Sequence, residues 1–241
     1  MNDPVRIGPG GRAERTDAPA SASRYYQYAQ RNIRCDSTLC HCPAKGVGTH
    51  GFVHVSEAPR FIYFAVPKCG TTTILHELFG RRHAAAAAPR DPEGDLDDYV
   101  KFAFVRNPWA RMVSNWKMYT SQPPARAQLR SAPDRDLAEL QKLERFESFV
   151  AFTAEEQNHH WQPQTLFLPE KLDFVGRLES FDDDFRRLCS LLGRTPPATT
   201  LPRRHASGSS TPYWEHYTPA LVEAVAEAYS SDIEAFDYSF R

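Results

Sequence analysis

No run in this chain is long and apolar enough to cross a bilayer, and residues 1–20 lack the hydrophobic core of a secretory signal. No Gly-Lys-Ser or Gly-Lys-Thr triplet occurs, so the usual nucleoside-triphosphate loop, with its magnesium-binding hydroxyl beside the lysine, is missing. Cysteine is scarce and odd in number, five in 241 residues without framework spacing. That pattern suits a reducing compartment, so a soluble, cytoplasmic protein is expected. Neither sign of charge is in excess: 29 Lys and Arg stand against 30 Asp and Glu. A net charge of -1 gives no bulk field for nucleic acid or a membrane surface. There is no internal repeat. Cys35, Cys40 and Cys42 cluster with His41, but no second cysteine pair follows at zinc-site spacing. Loosely placed thiols are expected there, no metal is called for, and the role of the three cysteines stays open.

What the chain does have is a lysine-bearing loop between a strand and a helix. The apolar run 61–66 leads into Val66-Pro67-Lys68-Cys69-Gly70-Thr71-Thr72-Thr73, and a helical pattern follows over 74–79. Backbone N–H groups at a helix N-terminus lack intrahelical partners, and the helix dipole favours negative charge there. Lys68 adds a positive charge, and Thr71, Thr72 and Thr73 add hydroxyl donors. The loop is suited to a phosphate-like group. Cys69, inside it, is expected to have a lowered pKa and to be open to alkylation.

A second apolar run, 101–105, ends in Arg106-Asn107-Pro108-Trp109, with Arg111 and Ser114 beyond. Pro108 suits a first helical turn, because its missing N–H would have no partner there. Arg106 therefore falls at a strand's carboxyl end and Ser114 about two turns along the next helix. An arginine fork and a hydroxyl make a good receptor for a terminal phosphate.

Pro-Lys-x-Gly-Thr-Thr-Thr followed by Phe-Val-Arg-Asn-Pro-x-x-Arg-x-x-Ser resembles the sulfotransferases that use 3′-phosphoadenosine 5′-phosphosulfate (PAPS). Within these it looks most like the carbohydrate-sulfotransferase branch and its soluble bacterial-type members. His160-Trp161-Gln162-Pro163-Gln164, Phe174-Val175-Gly176-Arg177-Leu178-Glu179, Leu201-Pro202 through Ala206-Ser207, and the ending from Ser231 to Tyr238 fit the same branch in order. The resemblance implies that Lys68, Cys69, Gly70, Thr71, Thr72 and Thr73 hold the 5′-phosphosulfate and that Arg106 and Ser114 hold the 3′-phosphate. It also implies that a loop ending at Ser207 closes over the nucleotide, with Arg203 and Arg204 nearby; His205 stands where asparagine is expected. The product would be adenosine 3′,5′-bisphosphate, and no metal is required.

On that reading the reaction is an in-line sulfuryl transfer to a hydroxyl, less readily an amine, of a small molecule or sugar. Lys68 would meet charge growing on the departing oxygen. Two histidines compete as general base. His76 lies eight residues after Lys68 on the emerging helix, where Glu77 is expected to face another side. His160 lies beside Trp161. Two other readings stay open: a P-loop kinase using ATP, and a catalytically silent nucleotide-binding or interaction module.

Strands alternating with helices predict an α/β, P-loop-like three-layer fold, a central parallel sheet flanked by helices with ligand at strand carboxyl ends. Residues 1–24 are expected to form a mobile tail and 25–241 a single domain, with 25–55 a polar lead-in. The spacing predicts helices over 146–152 and from a Ser180/Asp183 cap to Gly193, with Phe185, Leu188, Leu191 and Leu192 inward. Thr218-Pro219 is expected to open the last helix. Loops 83–98, 122–136 and 158–164 are expected to line the acceptor pocket. Oligomeric state is left open.

Overall fold

The computed structural model describes residues 5–6, 34–35, 46–47, 52–80, 95–121, 141–156, 158–201 and 211–241. The chain forms two compact units. One comprises Met1–Asn32, Thr49–Arg106 and Gln164–Arg204; the other comprises Ile33–Gly48, Asn107–Pro163 and His205–Arg241.

The first unit is built on a four-stranded sheet. Among the described residues the strands in chain order are β1 (Val5–Arg6), β2 (Arg34–Cys35), β3 (Gly46–Val47), β4 (Val53–Glu57), β5 (Arg60–Phe64), β6 (Val100–Val105), β7 (Lys171–Leu172) and β8 (Phe174–Arg177). The sheet order is β4-β5-β6-β8. Strands β5, β6 and β8 run parallel, with Tyr63 opposite Phe102 and Phe104 opposite Gly176. β4 pairs antiparallel with β5. The architecture is thus mixed α/β with a mostly parallel sheet, as the alternation of elements predicts. Residues 53–55, the end of the stretch read from sequence as polar lead-in, instead open the edge strand β4. Val53 and Val55 alternate with His54 and Ser56, a two-residue period too short to stand out against the polar residues before it.

β5 reads as a continuous apolar run because it is covered on both faces, Phe61 through Phe64 all being at most 1% exposed. One face carries an aromatic layer: Tyr63 stacks on Phe102 with ring centres 5.0 Å apart, and Phe61 packs against Phe79. Helix α1 (Thr71–Phe79) supplies Phe79, and the helix Phe181–Leu191 brings Phe181 to 5.2 Å from Phe104. Each such ring contributes about 1.5–3 kcal/mol by leaving water. Gly176 is required by this layer, since a Cβ there would lie 2.4 Å from the Phe104 ring.

The helix Phe181–Leu191 matches its predicted span, with Phe185, Leu188 and Leu192 buried, but Leu191 is 48% exposed. Its start also differs from the expected cap. Ser180 Oγ donates to Asp184 Oδ2 (2.7 Å), which also accepts the Arg177 N–H (2.8 Å), so the organising carboxylate is Asp184 and not Asp183.

The second unit is helical. Its helices are α2 (Pro108–Ser121), α3 (Phe146–Glu155), α5 (Pro219–Ala228) and α6 (Ser230–Phe236), the helix Phe181–Leu191 being α4 in chain order. Thr218 caps α5 by accepting the Leu221 N–H (3.4 Å), as its sequence predicts. One more helix, α6, then follows. Trp109 of α2 is buried and its indole donates to Val222 O (3.0 Å). Among the described residues no helix is long and apolar enough to cross a membrane.

Candidate anion-binding site

The loop between β5 and α1 owes its shape to two residues with positive φ. Lys68 has φ +70° and Gly70 φ +81°, on either side of Cys69. Glycine adopts this conformation freely, whereas a side-chain-bearing residue is held there against about 1–2 kcal/mol of steric cost. Such strain in a non-glycine residue gathers where function fixes the backbone. Gly70 has a second reason to lack a side chain: a Cβ would meet Phe181 at 3.1 Å and Leu178 at 3.2 Å.

Helix α1 begins without a side-chain cap, and its first internal bond runs from Ile74 N–H to Gly70 O (3.1 Å). The N–H groups of Gly70, Thr71, Thr72 and Thr73 precede that bond, the position in a helix that suits an anion. The hydroxyls divide differently from expectation. Thr71 Oγ1 donates to Val66 O (3.0 Å) and accepts from Tyr63 OH (3.3 Å), so this hydroxyl braces the loop. Burial holds the Tyr63 phenol well above its ordinary pKa, which keeps it a neutral donor to Thr71. Thr73 is buried, while Thr72 is partly exposed.

Cys69 corrects a second expectation. It is fully buried, its N–H closes a turn onto Val66 O (3.3 Å), and its Sγ lies 3.1 Å from Gln164 Oε1. A thiol so placed is a wall of the loop and is closed to alkylating reagents.

Arg106 follows β6, at the carboxyl end of the strand next to β5, and is partly exposed. Gln164 holds its backbone from both sides. Gln164 Oε1 accepts the Arg106 N–H and Gln164 Nε2 donates to Arg106 O, both at 2.8 Å. Sequence reading assigned Gln164 no role; it lies in the His160–Gln164 stretch, where nothing in composition or spacing marks a glutamine as structural.

His76 sits on α1 with Nδ1 2.9 Å from Glu77 Oε1. Glu77 therefore meets the histidine instead of facing away from it. A carboxylate against one imidazole nitrogen holds the ring in a set orientation.

In the second unit, Ser114 is a partly exposed residue of α2. His160 belongs to a segment held by its carbonyls: the buried Arg111 donates to Gln162 O (2.8 Å) and His160 O (3.0 Å), and Asn115 Nδ2 donates to His160 O (2.9 Å). Tyr229 OH donates to Trp161 O. Four main-chain anchors give the His160 backbone a fixed course. The His160 ring lies 4.1 Å from that of His159, which is buried. Ser207, Arg203, Arg204 and His205 lie outside the described residues, as do Cys40, Cys42 and loop 122–136. Among the described residues no group of three or more His, Cys, Asp or Glu side chains could hold a metal ion.

A mostly parallel sheet with a lysine-bearing helix start at the end of one strand and an arginine at the end of the next defines an α/β protein with a candidate anion-binding site. Residues 53–239 match the sulfotransferase family, and the chain belongs to it. It is similar to human carbohydrate sulfotransferase 8, with 26% identity over 235 residues, covering 78% of this chain and 55% of that protein. It is also similar to mouse carbohydrate sulfotransferase 11, with 26% identity over 170 residues, covering 60% of this chain and 48% of that protein. The chain thus spans about half the length of these curated relatives. No solved structure matches it.

Proposed function

We propose that this protein transfers a sulfuryl group from PAPS to a hydroxyl, less readily an amine, of a small-molecule or carbohydrate acceptor. The observation that carries this reading is the uncapped start of α1, with Lys68 in a left-handed conformation at its rim. Four N–H groups there suit three tetrahedral oxygens, and a sulfuryl group carries less charge than a phosphoryl, so the lysine can serve without a magnesium ion. Membership of the sulfotransferase family and likeness to two carbohydrate sulfotransferases support the reaction and the acceptor class.

In this mechanism the acceptor oxygen attacks sulfur as the bond from sulfur to the bridging phosphate oxygen breaks. The electron pair leaves on the nucleotide, now adenosine 3′,5′-bisphosphate, and the acceptor's proton passes to a histidine. Lys68 stabilises the departing oxygen, and Arg106 takes the 3′-phosphate. His76, oriented by Glu77, is the favoured base and His160 the competitor. The cysteine pattern supports the cytoplasm as the compartment.

The test compares adenosine 3′,5′-bisphosphate with ATP by thermal shift, then follows sulfate transfer from labelled PAPS to a panel of sugars, phenols and amines. Stabilisation by the bisphosphate, with labelled product independent of magnesium, is expected. Stabilisation by ATP alone, with magnesium-dependent phosphate transfer, would point to the kinase reading. Replacing His76 and His160 by alanine separately should leave bisphosphate affinity intact in both, while only one loses turnover.

A further inference from the structure

Three groups of the first unit converge on one buried side chain. Gln164 is fully buried, at the start of the 3₁₀ turn Gln164–Phe167. Its Oε1 accepts the Arg106 N–H at 2.8 Å and lies 3.1 Å from Cys69 Sγ, while its Nε2 donates to Arg106 O at 2.8 Å. The amide orientation is fixed by its neighbours, because a flipped group would set NH₂ against N–H and oxygen against oxygen. The carboxamide therefore joins the residue after Lys68 to the backbone of Arg106.

We propose that Gln164 is a positioning residue that locks the Lys68 loop and Arg106 into one receptor of fixed spacing. This inference rests on the reading of the ligand as an adenosine nucleotide with phosphate groups at both ends. The Lys68 loop needs an external anchor because it carries positive φ at Lys68 and Gly70, conformations that local sequence does not hold by itself. Arg106 is the last residue of its unit before the chain passes into the other, so its peptide is not fixed by strand pairing alone. An apolar residue at 164 could fill the same space but could not couple the loops. Coupling matters only for a ligand that touches both. When two tethered groups bind together, the second gains from the effective concentration set by the spacing of its site, and that gain vanishes when the spacing is not held.

The experiment measures, by titration or competition, the binding of adenosine 3′,5′-bisphosphate, adenosine 5′-monophosphate and adenosine 3′-monophosphate to the parent, Gln164→Leu, Gln164→Glu and Cys69→Ala proteins. Gln164→Leu is expected to weaken the bisphosphate about tenfold, a coupling of the size found between contacting groups, while each monophosphate changes by less than about twofold. Gln164→Glu keeps the acceptor oxygen and Cys69→Ala removes the thiol link, so both should give smaller losses of the same selectivity. These two variants carry the test if Gln164→Leu does not fold. Equal losses for all three nucleotides, or an unchanged bisphosphate affinity, would overturn the inference and leave the donor reading standing. Failure of the parent to bind the bisphosphate at all would overturn both.

Discussion

Helix α1 starts at Thr71 behind Gly70, and helix α2 starts at Pro108 behind Asn107. Both follow a loop that leaves a parallel strand, yet their first turns are finished in opposite ways. At α2 every early donor is accounted for. Pro108 has none, Asn107 Oδ1 accepts from Trp109 N–H (3.1 Å) and Ala110 N–H (3.2 Å), and Arg111 N–H reaches Asn107 O (2.8 Å). At α1 the residue in the capping position is a glycine, and no side chain folds back onto the first turn. The closed start of α2 gives local stability and has no capacity left for a ligand. The open start of α1 forgoes a cap worth about 0.5–2 kcal/mol. The start of α2 thus offers no uncapped donors beside the end of β6, where Arg106 stands.

The largest effect should come from the rim of the open start. Lys68→Ala is expected to abolish measurable sulfate transfer, and Lys68→Gly should do the same while raising the unfolding free energy by up to about 1 kcal/mol, because φ +70° costs glycine nothing. Activity assay and denaturant titration on the same preparations check the pair. A glycine variant that kept activity would show that the strained lysine shapes the loop without serving the reaction. Next in size, Gly70→Asp puts a carboxylate on the vacant donors and a Cβ near Phe181, so bisphosphate binding should be lost and stability lowered by about 1–3 kcal/mol. Titration calorimetry with a melt reads both.

Arg106→Ala tests the side-chain half of the comparison. Losing a charged hydrogen bond should cost about 1.5–3 kcal/mol in affinity for adenosine 3′,5′-bisphosphate, with little change for adenosine 5′-monophosphate. Equal weakening of both would show that Arg106 does not address the 3′ end.

The difference between the two helix starts also marks what a sequence gives up easily. The places of Lys68, Gly70 and Arg106 just beyond strand ends were legible, because apolar runs stop immediately before them. Pro108 announced α2. Asn107 was given no role, although Asn before Pro at a helix start is itself a capping signal. β5 and β6 were legible as apolar runs; β4 was not, since an edge strand needs only one apolar face. Two site features could not be read at all. The burial of Cys69 and the grip of Gln164 on Arg106 arise from residues 95 and 58 positions apart in the chain, and nothing local encodes those meetings. The pairing of His76 with Glu77 was misjudged for another reason. Adjacent helical positions diverge at Cβ, but a glutamate is long enough to swing back and reach a neighbouring ring.

The smallest effect belongs to the closed start. Asn107→Ala removes an acceptor from two N–H groups, together with the bond from Asn107 Nδ2 to Ser239 O (2.8 Å). A loss of about 1 kcal/mol in unfolding free energy is expected, near the middle of the range for capping residues. The matching change at α1 has no such cost, because there is no cap to remove; Thr72→Ala should leave stability within about 0.5 kcal/mol. It should instead weaken bisphosphate binding, since Thr72 is partly exposed beside the open donors. Each substitution should thus move one quantity and spare the other: stability for Asn107, affinity for Thr72. If Thr72→Ala destabilised the protein as much as Asn107→Ala does, the start of α1 would be closed after all, and the case for an anion there would lose its physical basis.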